Sequence, residues 1–184
     1  MRRIYMSVIV FHGSTREHGN TELLTYRAVP KEVGTHIYLR EYQIEPIVDQ
    51  RHDEEGFDKI EDDHQLLIDQ LLQHDTIVFA TPIYWYSMST PMKLFIDRWS
   101  QILRHPNYAH FREALSKKDV YAIIVGGDTP QIKGLPLVQQ FQYICQFYQM
   151  NFKGYVIGKA SKPGEITIDH QALQAASHLL PSIK

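Results

Sequence analysis

Five short apolar or β-branched runs recur along the chain with little polar alternation: Ile4 to Phe11, His36 to Leu39, Thr76 to Ala80, Val120 to Val125 and Tyr155 to Gly158. A strand with one face in water alternates, so continuous runs of this length suit strands covered on both faces. Helix-period segments lie between them. The clearest places Met92, Phe95, Ile96, Trp99, Ile102 and Leu103 on one face, with Thr90 as N-cap and Pro91 at the first helical position. Leu137, Phe141, Ile144, Cys145 and Tyr148 repeat the pattern. Weaker versions run through Leu23 and Leu24, through Leu67, Ile68, Leu71 and Leu72, and through Leu173, Ala176, Leu179 and Leu180 before Pro181. Five strands alternating with five helices read as linked βαβ units, whose right-handed crossovers put helices on both faces of a parallel sheet. The expectation is a doubly wound α/β domain of three α/β/α layers.

The remaining composition narrows the setting. At 184 residues the chain is below the length at which cores usually divide, and no composition break marks a linker, so one domain over 1–184 is expected. With 19 basic and 21 acidic side chains, the net charge of -2 provides no broad field for nucleic acid or anionic lipid; a small-molecule partner is the default. Cys145 is the single cysteine, which excludes an intrachain disulfide or a cysteine metal cluster and favours a reducing compartment. Met1-Arg2-Arg3 and the following apolar run resemble a signal peptide only superficially, because a polar loop follows without a small-residue cleavage site. No apolar stretch reaches the roughly 20 residues of a membrane span, so a cytoplasmic protein without membrane contact is expected. The charged connection from Arg40 to about Glu61, with Pro46 and Gly56, is longer than most βα connections and carries no readable motif.

Directly after the first strand the chain reads His12-Gly13-Ser14-Thr15-Arg16-Glu17-His18-Gly19-Asn20-Thr21, and helical periodicity begins just beyond. Glycines let the backbone approach a ligand, hydroxyls and amides supply hydrogen bonds, and a helix N-terminus carries partial positive charge, so this junction suits an anion such as phosphate. A Walker loop would need a lysine where Asn20 stands, and a dinucleotide fingerprint would need G-x-G-x-x-G. In an open sheet of order 2-1-3-4-5 the ligand crevice falls between strands 1 and 3, so the loop after the third strand should also be unusual. It reads Thr81-Pro82-Ile83-Tyr84-Trp85-Tyr86-Ser87-Met88-Ser89-Thr90-Pro91-Met92-Lys93, with three adjacent aromatics and no helical reason for them. Such a loop can cover a flat heteroaromatic ring while its N–H groups meet the ring's polar edge; packing against the core or a subunit contact is the plain alternative. The fourth strand ends in Val125-Gly126-Gly127-Asp128-Thr129-Pro130, where paired glycines permit close backbone approach or form a simple turn.

At these residues the sequence resembles the NAD(P)H-dependent FMN reductases and related quinone reductases of the flavodoxin-like superfamily. The resemblance rests on Gly13-Ser14-Thr15-Arg16 with Gly19-Asn20-Thr21, then on Thr81-Pro82-Ile83-Tyr84-Trp85 through Ser89 to Lys93, with Phe95, Ile96, Asp97 and Arg98 behind them. It implies a flavodoxin-like fold, FMN as cofactor and NAD(P)H as electron donor. It further implies that Ser14, Thr15, Arg16, Gly19, Asn20 and Thr21 hold the FMN phosphate. Pro82, Ile83, Tyr84, Trp85, Tyr86 and Ser87 would flank the isoalloxazine, with Gly126, Gly127 and Asp128 at its other edge. The chemistry would belong to the flavin, with ping-pong transfer of two electrons from NAD(P)H to a quinone, free flavin, azo or nitro compound and no catalytic side chain. Homodimers or homotetramers that close the flavin site are implied as well, and Trp85, Tyr86, Trp99, Tyr108 and Phe111 are the aromatic candidates for that contact.

Two other classes compete. A flavodoxin-type electron carrier would have the same fold and flavin, yet the modest net charge and the aromatic loop favour a substrate pocket; a flavin-free interaction module would need no polar loop. His12, His18 and Tyr84, near the expected crevice, are candidates for assisting proton transfer. Other histidines, including His105 and His110, and the acidic group Glu61, Asp62 and Asp63 show no metal-ligand spacing and read as solvated surface. Arg104, Arg112 and Lys133 are the basic residues that could meet a 2′-phosphate. Cys145 reads as inert packing.

Overall fold

Apolar residues at both parities make β1 (Val8–His12) a strand with every side chain buried. The structure, a computed structural model, describes residues 7–181; Ile4 to Met6 of the first predicted strand lie outside them. The other strands are β2 (Thr35–Tyr38), β3 (Thr76–Pro82), β4 (Asp119–Gly126) and β5 (Asn151–Lys159). All neighbours pair in parallel in the order β2-β1-β3-β4-β5. This is the expected 2-1-3-4-5 sheet of a flavodoxin-like fold. β5 starts four residues before the predicted Tyr155, because its first half lies on the sheet edge with alternating exposure and carries polar residues that break the apolar run.

Alternation through the sheet feeds two cores. Ile9, Phe11, Ile77, Phe79, Val120, Ala122 and Ile124 face one side, and Val8, Val10, Val78, Ala80, Tyr121, Ile123 and Val125 the other. The first side is covered by α2 (His64–Leu72), α3 (Thr90–Asp97), α4 (Trp99–Ile102), α5 (Phe111–Ser116) and α7 (Leu135–Tyr148). Its aromatics interlock, with Phe11 on Phe95 at 4.5 Å and Phe79 parallel to Phe141 at 5.2 Å. Trp99 lies edge-on to Phe95, Phe111 and Tyr148. The second side is covered by α1 (Asn20–Ala28) and α8 (His170–Ser177). α6 (Pro130–Lys133) is a single turn leading into α7.

Several boundaries differ from the sequence reading. Ser89, not Thr90, takes the N-cap position of α3: its backbone is extended while Thr90 enters the helix, and its hydroxyl, bonded to the Gly13 carbonyl, caps no helix N–H. The long predicted helix from Met92 breaks at Arg98 into α3 and α4, and α8 stops before Leu179 and Leu180. α5 and α6 are too short to show periodicity.

The connection after β2 passes through a 3₁₀ turn, Leu39–Glu41, and then runs irregularly to α2. It is fastened by Arg98, whose guanidinium is 2% exposed and donates to Asp62 at 2.6 Å and to the Glu45 carbonyl at 2.9 Å. Asp62, 1% exposed, also accepts from the Glu45 N–H at 2.9 Å. Burial alone would raise the Asp62 pKa, but these hydrogen bonds win and hold it low. Asp62 is therefore a buried anchor and not the solvated surface residue expected. His64 is likewise core: wholly buried, with Nε2 at 2.9 Å from the Phe95 carbonyl.

Candidate functional site

The carboxyl ends of β1, β3, β4 and β5 lie side by side where the strand order reverses, the place at which an open α/β sheet leaves a crevice. One hydrogen bond past the strands carries the ladder into each loop. Gly13 N–H donates to Ala80 at 2.8 Å, Ile83 N–H to Val125 at 2.8 Å and Ala160 N–H to Gly126 at 2.9 Å. A buried joint fixes the first two loops against each other: Ser89 Oγ donates to the Gly13 carbonyl at 2.6 Å, and Ser89 N–H donates to Thr81 Oγ1 at 3.1 Å. A Cβ on Gly13 would stand 2.7 Å from Ser89 Oγ and 3.0 Å from Met92 Cβ, so glycine is what allows the joint to close.

In the loop after β1, Ser14 Oγ accepts from Arg16 N–H at 3.2 Å and donates to the Arg16 carbonyl at 3.1 Å, which curls the backbone locally. Gly19 precedes α1 without a side-chain cap, so the first-turn N–H groups are left for an anion. Asn20 spends its side chain elsewhere, donating to the Lys162 carbonyl at 2.8 Å and accepting from Ile166 N–H at 3.3 Å. It clamps the loop after β5 to the start of α1.

These loops enclose a cleft of about 340 Å³, inside the ~300–1,000 Å³ range of ligand sites. Ser14, Arg16, Gly19, Asn20 and Thr21 line one end; Pro82, Ile83, Tyr84, Gly126 and Gly127 line the other. A neighbouring cleft of about 200 Å³ shares Ile83, Gly126 and Gly127 and continues to Trp85, Tyr86, Asp128 and Lys133. Thr15 is exposed and borders neither cleft, and the Ser87 hydroxyl turns to Gln140 at 3.0 Å. Val125, at the end of β4, also lines the larger cleft, as do Ala160 and Ser161, which the sequence reading does not single out. The small and Pro-Gly residues of Ala160-Ser161-Lys162-Pro163-Gly164, following a strand, are the signal that could have found them.

Tyr84 and Ser87 exchange backbone hydrogen bonds at 3.0 and 3.1 Å around a two-residue hairpin turn. Trp85 and Tyr86 occupy it with φ of 48° and 65°, positions that favour Asn and Gly, so this turn stores strain. Trp85 is 94% exposed. Tyr86 O–H reaches across to Asp128 Oδ2 at 3.3 Å, where Lys133 Nζ also donates at 2.6 Å. The hydrogen bond from Lys133, foremost, and that from Tyr86 hold the Asp128 carboxyl below its usual range.

The arrangement fits a phosphorylated flat ring. Its anion end is built from backbone N–H groups and hydroxyls, and its ring end from backbone brought close by glycine. A Cβ on Gly126 would meet Ile83 Cδ1 at 2.8 Å, and one on Gly127 would meet Ser161 Oγ at 2.0 Å.

His12 does not reach this crevice. It is 1% exposed, hydrogen-bonded to His36 at 2.9 Å and stacked on Tyr38 at 4.7 Å, on the side facing β2. Burial, then the nearby His36 and Arg40, push its pKa down to about 3, so it stays neutral and sealed. His18 is exposed at the outer turn of the loop and lines neither cleft. Arg104 borders a separate hollow near Gly56 to Ile60, and Arg112 donates to the Phe147 carbonyl; of the basic candidates only Lys133 lies at the crevice.

The sheet defines a flavodoxin-like protein with a cleft at its strand ends. The sequence pattern of the NADPH-dependent FMN reductase family matches residues 6–160. YwqN of Bacillus subtilis (strain 168), named as an NAD(P)H-dependent FMN-containing oxidoreductase, is 52% identical over 175 residues, 95% of this chain and 97% of that protein. A solved structure named the Trp repressor binding protein from Bacillus subtilis is 46% identical with a TM-score of 0.81, covering 95% of this chain and 98% of that one. An FMN-dependent NADH-azoreductase from Bacillus anthracis str. Ames Ancestor, solved with FMN, shares the fold at a TM-score of 0.60 and 12% identity, over 95% of this chain and 99% of that one. The chain belongs to the NADPH-dependent FMN reductase family. It is an NAD(P)H-dependent oxidoreductase with FMN as its cofactor. Among the described residues no helix is long and apolar enough to cross a membrane.

Proposed function

We propose that this chain, working as one domain in a reducing compartment, passes electrons from NAD(P)H through FMN to a small oxidised acceptor of the quinone, free flavin, azo or nitro class. The observation that carries the reading is the convergence of four strand-end loops on one cleft, with an amide-rich anion end and a glycine-walled ring end. Bound FMN supplies hydride acceptance and two-electron transfer. The protein's part is to bind, orient and exclude.

The phosphate would be held by N–H groups at the start of α1, with Ser14, Arg16, Gly19 and Thr21 around it and Asn20 contributing its main chain. Pro82, Ile83 and Tyr84 lie along one side of the ring and Gly126 and Gly127 along the other. Ile83, Tyr84 and Ser87 N–H groups already have backbone acceptors, which leaves those of Trp85 and Tyr86 in the hairpin and of Gly127 and Asp128 across the cleft as amide donors to the polar ring edge. Trp85, Tyr86 and Asp128 form the rim where donor and acceptor enter in turn, and its openness suits an enzyme that accepts several flat oxidants.

We assign the second copy of a homo-oligomer to the outer face of α7. No charged residue occurs in that helix, and Leu135, Tyr143 and Phe147 are 44%, 60% and 53% exposed on it. The aromatics Trp99, Tyr108 and Phe111, expected at a contact, are buried in the core and unavailable for one. The function is tested by mixing FMN-loaded protein anaerobically with NADH or NADPH. Rapid bleaching of flavin absorbance, restored by a quinone, is expected; flavin that ignores both nucleotides would make the protein an electron carrier.

A further inference from the structure

A buried carboxylate holds the loop after β1 from within. Glu22, in the first turn of α1, is 2% exposed although it lies one turn beyond the anion end of the cleft. A negative side chain so placed opposes anion binding unless it is neutralised and used. It is both. Its Oε2 accepts from His18 N–H at 3.2 Å and faces Arg40 Nη1 at 3.4 Å, and its Oε1 accepts from Tyr26 O–H at 2.9 Å. Tyr26 in turn meets Tyr38 at 2.6 Å, and the Arg40 guanidinium lies over the Tyr38 ring at 4.6 Å. The cluster therefore spans α1, β2 and the turn after β2.

His18 is where the loop bends back into α1, at a φ of 52° that is unfavourable for a residue with a Cβ. The bond from its N–H to Glu22 secures that bend. We propose that Glu22 is a positioning residue for cofactor binding: supported by Tyr26 and Arg40, it locks the bend at His18 that leads the loop into α1, in the shape that leaves the N–H groups at the start of α1 open to the FMN phosphate, without touching the phosphate itself. This rests on the assignment of that loop to the phosphate. Only a carboxylate can accept from His18, Tyr26 and Arg40 together; glutamine keeps the shape but turns one end into a donor.

The test compares dissociation constants for FMN and for riboflavin, which lacks the phosphate, by flavin-fluorescence quenching. Glu22→Ala should weaken FMN by about tenfold or more and riboflavin by less than about twofold, with Glu22→Gln in between. Hydrogen exchange at the His18 amide of the FMN-free Glu22→Gln variant should quicken. Tyr26→Phe, which keeps the ring and removes one support, should lower the FMN preference several-fold and serves if Glu22→Ala does not fold. Equal weakening for both flavins, an unchanged preference or unchanged exchange would overturn the proposal while leaving the phosphate loop in place. Wild-type protein that binds riboflavin as tightly as FMN would overturn the loop assignment and this proposal with it.

Discussion

Single atoms decide the shape of the cleft. At Gly13 an added methyl has no room, because Ser89 and Met92 are both held by the core behind them. Gly13→Ala should destabilise the protein by ~1–3 kcal/mol, read from its urea midpoint, and weaken FMN in parallel. The opposite sign is expected at Trp85, whose side chain packs on nothing and whose backbone is strained. Trp85→Gly should raise the stability of the FMN-free protein by ~0.5–1 kcal/mol while changing the KM for the acceptor. A fall in melting temperature would show that the indole is held by contacts within the chain. Glycine, serine and threonine at a strand end also make ordinary turns, so the cleft showed in the sequence only because several such loops fall at the crevice the strand order predicts. Long-range partners did not show. Asn20 is tied to Lys162 and His12 to His36, and no local pattern discloses a partner so distant along the chain.

At the scale of elements, the strands and the main helices could be read because continuous burial and a 3.6-residue period are local properties of sequence. The connection from Arg40 to Glu61 could not, because its order comes from contacts distant in sequence, the buried Arg98–Asp62 pair and the Gln101 bond to the Asp58 carbonyl among them. Removing Asp62 leaves Arg98 charged and without its partner, so Asp62→Ala should cost ~3–5 kcal/mol and make residues 42–63 the first to be cut by protease. Loss of stability without that local cutting would mean that the pair supports α3 and α4 and not the connection.

For the molecule as a whole, pH is a direct probe of packing. Burial lowers the pKa of His12 to about 3 and of His64 to about 4, so both are neutral when folded, whereas an unfolded histidine protonates below about 6.5. Below that pH the unfolded chain binds more protons, and stability present at neutral pH is lost as the pH falls toward the folded values. Because the slope sets in only below about pH 6.5, each histidine should account for a loss of ~1.4 kcal/mol between pH 7.5 and 5.5, measured by urea denaturation of the FMN-free protein. His36, whose pKa burial also lowers, adds to the loss, so His64→Gln should remove only a part of it. Association is a second property of the whole. Light scattering should give a multiple of the 21.5 kDa chain mass, and Tyr143→Glu with Phe147→Glu should return it to one chain.

The backbone bonds from Gly13 to Ala80, Ile83 to Val125 and Ala160 to Gly126 stitch each cleft loop to the strand beside it. Variation in such a protein is consequently not free to sample one loop at a time. A change that resizes the cleft from the hairpin side is felt through β4 by the loop after β5, so beneficial substitutions should be epistatic across loops, and altered acceptor preference should emerge in lineages that exchange several of them together.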